Sequence, residues 1–144
     1  MFKRLHHVGI AVPSLDEGAA TWGPAGLGLL EDGREDVASA GTRVSMFPVG
    51  ESRIELLEAM GENTPVGKFL AKRGPGIHHL CFEVDNIEAE ITRIAATGMR
   101  LLGDPPNAGA HGSLVAFIHP ADTGGVLVEL NQFADPQDDE QPTP

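Results

Sequence analysis

The sequence predicts an α+β fold built from two tandem βαβββ modules. The first observation is an internal repeat, in which the segment His6 to Val12 recurs as His78 to Val84 at an interval of 72 residues. The second is that one helical pattern in each half is surrounded by short strand-like runs. The third is that the repeat reaches the end of each half, where Glu55 matches Glu129 at an interval of 74. We therefore expect the two copies to form one curved mixed sheet.

The elements follow from periodicity and from turn residues. In the first half we predict a strand at 6–12, a helix at about 15–25, and strands near 27–33, 42–48 and 52–58. In the second half we predict a strand at 77–84, a helix at 86–97, and strands near 99–103, 113–119 and 125–131. Asn86 can cap the second helix and Gly98 can end it, whereas Gly23 and Pro24 should end the first helix by Trp22 or Gly23.

These elements imply one domain at residues 1–133. Its modules span about 5–58 and 77–132, and the linker at 59–76 holds a short helix from Val66 to Arg73. A tail at 134–144 is rich in Pro, Asp and Gln, and we expect it to be disordered because it has little apolar surface to bury.

Composition excludes several classes of function. The net charge of −11 argues against nucleic acid as a partner, because phosphate binding needs a basic face. Cys81 is the only cysteine, which suits a reducing compartment. The N-terminal residues run directly into a strand pattern, and no stretch approaches the roughly 20 apolar residues of a membrane span. We expect a soluble cytoplasmic protein with no membrane partner.

Alternation within the strands indicates which residues share a face. Bulky apolar residues such as Val8, Ile10 and Val12 point to one side, and four polar residues point to the other. Those four residues are His7, Glu55, His79 and Glu129. A single strand histidine or glutamate is usually structural, but four at duplicated positions favour a metal site. Two imidazoles and two carboxylates suit one divalent ion in the cleft of the sheet, and Co, Ni, Mn and Zn all accept this set.

For the remaining histidines and the cysteine, we predict roles other than metal ligation. We expect His6 and His78 to be structural neighbours or outer-sphere groups, and Cys81 to be a small buried thiol on the ligand side. His119, beside Pro120, is interpreted as structural. His111 lies in a glycine-rich segment and could reach a ligand.

Four segments together resemble one family. They are His6 to Pro13, Ile77 to Ile87, Gly109 to Gly112, and His119 to Leu130, and the likeness covers roughly residues 5 to 132. The chain resembles the methylmalonyl-CoA epimerase family of the vicinal oxygen chelate (glyoxalase/bleomycin resistance/dioxygenase) superfamily. The resemblance implies that His7, His79 and Glu129 are metal ligands, with Glu55 at the fourth position.

The resemblance also implies an activity. It is the metal-dependent epimerisation of (R)- and (S)-methylmalonyl-CoA, by removal of the C2 proton through an enolate that the metal stabilises. Glu129 would be one acid/base group. Some bacterial members carry a second catalytic glutamate where this chain has Val44, so Glu55, or a water that it holds, is the best available partner.

Substrate contacts and assembly are further expectations from the resemblance. We expect His111, Gly112 and Lys72 to contact the acyl-CoA substrate, with Lys68 and Arg73 available to meet its negative charge. The family also implies a homodimer.

Two other functions remain open at this stage. A glyoxalase I-type lactoylglutathione lyase would use the same four ligands on a glutathione hemithioacetal. A metal-free small-molecule-binding protein of the bleomycin-resistance type would have little use for four polar residues on one face. Metal analysis separates the binding protein from both enzymes.

Overall fold

The computed structural model describes residues 1–134, and most of the predicted tail, residues 135–144, lies outside the described residues. Its helices and strands follow one another as β1 (Phe2–Ala11), α1 (Leu15–Trp22), β2 (Gly33–Val37), β3 (Thr42–Val49), β4 (Ser52–Ala59), α2 (Pro65–Arg73), β5 (Gly76–Val84), α3 (Ile87–Ala96), β6 (Asn107–Ala108), β7 (Leu114–Ile118) and β8 (Leu127–Gln132). The order contains βαβββ twice, which confirms the predicted fold class.

The strands are ordered β2-β3-β4-β1-β5-β8-β7-β6 in a mixed sheet. Within each module the first and last strands are parallel neighbours, β1 with β4 and β5 with β8. The other pairs within the modules, β2 with β3, β3 with β4, β6 with β7 and β7 with β8, are antiparallel. The first strand of each module is therefore placed beside its last strand, which carries the glutamate.

The described residues divide into two compact units. The first unit comprises residues 7–78, and the second comprises residues 1–6 together with residues 79–134. The division passes between His6 and His7 in β1 and between His78 and His79 in β5.

Two predicted strands are wrong. Residues 27–32 form no strand, and β2 begins only at Gly33. Leu27 and Leu30 are exposed, so their apolar character does not report a buried strand face. In the second half, the only β-type pairing in residues 99–103 is a single bridge from Leu101 to Ile118, and the short strand β6 comes later.

The helix boundaries follow the capping residues. The side chain of Ser14 accepts a hydrogen bond from the Glu17 N–H at the start of α1, and Asn86 accepts one from Ala89 at the start of α3. Thr64 caps α2 in the same way, with Pro65 in its first turn. The predicted cap at Asn86 and the predicted end of the first helix by Trp22 or Gly23 are confirmed.

Each unit has its own apolar core. In the first unit, α1 covers one face of the sheet over Val12, Leu15, Phe47 and Leu56. The other face carries a second cluster of Ala11, Val44, Leu57 and Val66, the last of these from α2. In the second unit, α3 packs over Val84, Ile87, Ile94, Ala116, Ile118 and Leu130. Burial of these side chains holds the strands that carry the predicted ligands.

None of the helices in residues 1–134 is long and apolar enough to cross a membrane.

Candidate metal centre

In the first unit, His7 and Glu55 come together across two parallel strands. Gly9 of β1 lies opposite Glu55 of β4, so the glutamate is level with the residue two positions after the histidine. The Nε2 atom of His7 lies 3.6 Å from Oε1 of Glu55, and both side chains are largely buried, at 8% and 13% exposed.

The second unit repeats this arrangement. Cys81 of β5 lies opposite Glu129 of β8, so this glutamate is also level with the residue two positions after its histidine. The Nε2 atom of His79 lies 3.6 Å from Oε2 of Glu129. The duplication seen in the sequence is therefore a duplication of a histidine–glutamate pair in space.

The separation within each pair suits metal ligands. A distance of 3.6 Å is longer than an N–H···O hydrogen bond, which is normally 2.7–3.2 Å. Nitrogen and oxygen ligands lie about 2.1 Å from a shared ion, and simple geometry then places neighbouring ligand atoms about 3.0–3.4 Å apart. Each pair is close to that separation, so imidazole and carboxylate in each unit fit two ligands of one divalent cation.

The carboxyl group of Glu55 is electrostatically unusual. Burial first, and the negative charge of Glu35 second, raise the pKa of Glu55 from its ordinary value of 4.5 to about 7. A bound cation would favour the ionised form and reverse this shift.

The neighbouring histidines and the cysteine lie as follows. The ring of His6 is buried with its centroid 4.8 Å from that of Phe133, and Cys81 is fully buried. His78 meets the edge of the Phe69 ring at 5.0 Å, and burial lowers the pKa of His78. Structural roles for His6 and His78 remain predictions that agree with this aromatic packing.

The predicted substrate-binding residues are in two separate places. His111 and Gly112 belong to an exposed 3-10 turn, Ala110–Gly112, in which His111 has a left-handed backbone with φ of +54°. Lys72 is exposed in the last turn of α2. Within residues 1–134, neither His111 nor Lys72 forms a side-chain hydrogen bond or ion pair.

Glu35 is not among the site residues that the sequence predicts. Its influence on Glu55 depends on β2, which was predicted at 27–33 but is observed at Gly33–Val37. The period-two alternation of a strand was present, because the partly buried Gly33, Glu35 and Val37 alternate with the exposed Arg34 and Asp36. The high charge of this segment hid it, since charged residues are uncommon in strands.

Comparison with known proteins agrees with this geometry. Residues 6–117 match the family model of the Glyoxalase/Bleomycin resistance protein/Dioxygenase superfamily. An ethylmalonyl-CoA/methylmalonyl-CoA epimerase of Cereibacter sphaeroides is 42% identical, over 92% of this chain and 99% of its own length. The mitochondrial methylmalonyl-CoA epimerase of Homo sapiens is 41% identical, over 90% of this chain and 73% of its own length.

Solved structures give the same result. A methylmalonyl-CoA epimerase in complex with methylmalonyl-CoA and NH4+ superposes with a TM-score of 0.84 at 36% identity, covering 93% of this chain and 96% of that chain. A Streptomyces coelicolor methylmalonyl-CoA epimerase variant bound to 2-nitronate-propionyl-CoA gives 0.83 at 35% identity, covering 94% and 100%. The family predicted from the sequence motifs is confirmed. This chain belongs to the glyoxalase/bleomycin resistance/dioxygenase superfamily, and the relatives described above are epimerases of methylmalonyl-CoA.

Proposed function

We propose that this protein is a methylmalonyl-CoA epimerase in which His7, Glu55, His79 and Glu129 hold one divalent metal ion. The observation that carries the proposal is the duplicated histidine–glutamate pair, with the same separation and the same strand register in each unit. Among the donor sets that these residues offer, His7, His79 and Glu129 form a group suited to an ion. The activity of the relatives supports the assignment.

The donor set restricts the metal to a class. Two imidazole nitrogens and two carboxylate oxygens suit Co, Ni, Mn or Zn and leave positions for further ligands. When bound, the ion would supply positive charge that stabilises the negative charge developing on the substrate oxygens.

The proton chemistry falls to the carboxylates. Epimerisation removes the proton on C2, which is acidic because it lies between a thioester and a carboxylate, and returns a proton to the opposite side. Glu129 would accept or deliver the proton on one side of C2. Glu55, or a water that it holds, is the partner that the predicted ligand set offers on the other side.

Substrate binding would use groups outside the metal centre. Coenzyme A is polyanionic and this chain has a net charge of −11, so the substrate needs a local basic surface. Lys68, Lys72 and Arg73 in α2 provide positive charge, and His111 and Gly112 provide a polar turn for the acyl end. We also propose that the protein acts as a homodimer in the cytoplasm, which sedimentation analysis and cell fractionation would test.

The decisive experiment is proton exchange in deuterated water. The purified, metal-loaded protein should incorporate deuterium at C2 of methylmalonyl-CoA and interconvert the two epimers, and a chelator should abolish both reactions. Methylglyoxal with glutathione is the comparison substrate. Rapid turnover of that pair without exchange on methylmalonyl-CoA would reassign the protein as a glyoxalase, and inactivity on both with no bound metal would favour a binding protein.

A further inference from the structure

The face of the first-unit sheet that carries His7 and Glu55, here called the ligand face, presents a third proton-accepting side chain. Strand register identifies the residues of this face. They are His7, Gly9 and Ala11 on β1; Arg53, Glu55, Leu57 and Ala59 on β4; Thr42, Val44, Met46 and Pro48 on β3; and Gly33, Glu35 and Val37 on β2. Once His7 and Glu55 are assigned to the ion, Glu35 is the one carboxylate left on this face within the described residues.

Two contacts confirm which face Glu35 occupies. Val37, two residues further along β2, packs against the cluster that contains Val44 and Leu57, both on the ligand face. Arg34 lies opposite Ser45 in the register, and Arg34 and Ser45 both donate hydrogen bonds to Glu31 on the opposite face. Because strand residues alternate, Glu35 must share the face of Val37 and oppose that of Arg34.

The carboxylate of Glu35 is not engaged elsewhere. It is partly buried, and it forms no hydrogen bond or ion pair with any residue of the described chain. Its neighbours on β2 are engaged, since Arg34 pairs with Glu31 and Asp16, and Asp36 pairs with Arg43. The Glu35 carboxylate is therefore available to accept a proton.

Strand register also relates Glu35 to Glu55. Glu35 lies opposite Val44, and Val44 lies opposite Leu57, which is two residues after Glu55 on β4. The two carboxylates therefore lie on the same face, two residues apart in register, and the apolar Val44 offers Glu35 no hydrogen-bond partner.

We propose that Glu35 is the second acid/base group of the epimerisation. Inversion at C2 needs one group on each side of the reacting carbon, and this inference rests on the proposed function, in which Glu129 serves one side. For one epimer, the C2–H bond breaks, its electron pair passes into the enolate, and the proton moves to a Glu35 oxygen directly or through one water. Glu129 in its protonated form then delivers a proton to the other side of C2. For the opposite epimer, the two carboxylates exchange roles.

If Glu35 is the second acid/base group, Glu55 serves as a metal ligand alone. Glu55 remains a metal ligand, because its oxygen lies beside His7 at ligand spacing. Glu35, whose carboxylate is not assigned to the ion, transfers the proton on the side of C2 opposite Glu129.

The test uses both epimers of methylmalonyl-CoA separately in deuterated water with metal-loaded protein. In Glu35→Gln, the epimer that Glu129 deprotonates should still exchange its C2 proton, whereas exchange of the other epimer and inversion of both should fall by about 100-fold or more. Glu35→Asp should recover part of the lost rate, because it keeps a carboxylate. The matched control is Asp36→Asn, on the opposite face of the same strand, which should leave both exchange rates unchanged.

Each alternative gives a different pattern. Equal slowing of both epimers in Glu35→Gln, or no slowing, would overturn the assignment. The epimer-selective pattern in Glu55→Gln with a normal Glu35→Gln would transfer the role to Glu55. Failure of the wild type to exchange either epimer would overturn the proposed function itself. Gln has nearly the same shape as Glu, so Glu35→Gln should fold and bind metal at least as well as the wild type, which thermal unfolding and metal analysis would check.

Discussion

His7 and Glu55 lie 3.6 Å apart on parallel strands, at a distance too long for a hydrogen bond and close to that between two ligands of one ion. His79 and Glu129 have the same relationship in the other unit. The same spacing in both units supports the proposal that the two pairs bind one divalent cation.

The first prediction concerns metal binding. Purified wild type should hold about one divalent ion per chain, and His7→Ala or His79→Ala should lower metal affinity by at least ten- to hundredfold, because each removes a nitrogen ligand. Calorimetric titration with Co or Zn measures the loss. His119→Ala is the control, since that imidazole caps a turn by accepting from the Ala121 N–H. Wild-type affinity in both ligand variants would contradict the assigned centre.

The second prediction concerns Glu129. In Glu129→Gln the amide keeps the size of the side chain and can remain a weak ligand, but it cannot accept the proton. We expect metal to be retained and C2 exchange to be lost for the epimer that Glu129 deprotonates, which mass spectrometry of the recovered thioester would show. Normal exchange of both epimers in this variant would exclude Glu129 as a base.

The third prediction concerns pH. The pKa of Glu55 is about 7 in the folded protein, above its ordinary value of 4.5, so the folded state binds the proton more tightly than the unfolded state. The stability from this group is fully present below about pH 4.5 and is lost as the pH rises through 7, amounting to about 3 kcal/mol. Urea unfolding of chelator-treated protein at pH 5 and pH 7.5 should show the loss relative to Glu55→Gln. Parallel pH dependences in the two proteins would show that Glu55 does not titrate in this way.

The fourth prediction concerns the proton that Glu55 should lose when the metal ion binds. A ligand carboxylate must be ionised, so binding at pH 6 should displace close to one proton from Glu55, and binding at pH 8.5 should displace little from this group. Titration calorimetry in two buffers of different ionisation enthalpy counts the protons. Glu55→Gln should remove the difference between the two pH values, and a difference that persists in that variant must come from another group.

The fifth prediction concerns the packing of α2. A Cβ atom added at Gly67 would lie 2.2 Å from the carbonyl oxygen of Gly61, so Gly67→Ala must displace backbone and should lower the free energy of unfolding by about 1–3 kcal/mol. Gly76→Ala is the control, because a Cβ atom there meets nothing within 4 Å. Denaturant titration compares the two. Equal stability of both variants would indicate that α2 is not docked as described.

Much of this protein is determined by local sequence. The duplication of His7 as His79 and of Glu55 as Glu129 indicated the repeated module, the strand faces and the four candidate ligands, because strand alternation assigns a side chain to a face without further information. Capping residues such as Asn86 located helix ends, since a cap acts on the backbone within three residues.

Other features depended on the tertiary structure. Leu27 and Leu30 gave an apolar pattern that resembled a strand, but both side chains are exposed and β2 lies after them. The charged segment Gly33–Val37 forms the strand because pairing with β3 supplies its backbone hydrogen bonds. The same pairing places Glu35 on the face of the sheet that carries Glu55. Two residues 20 positions apart, on strands separated by a third, acquire a relationship only through strand order and register, which no local pattern encodes. The sequence by itself therefore determined the repeated histidine–glutamate pairs, and only the packed sheet decided which further carboxylate shares a face with His7 and Glu55.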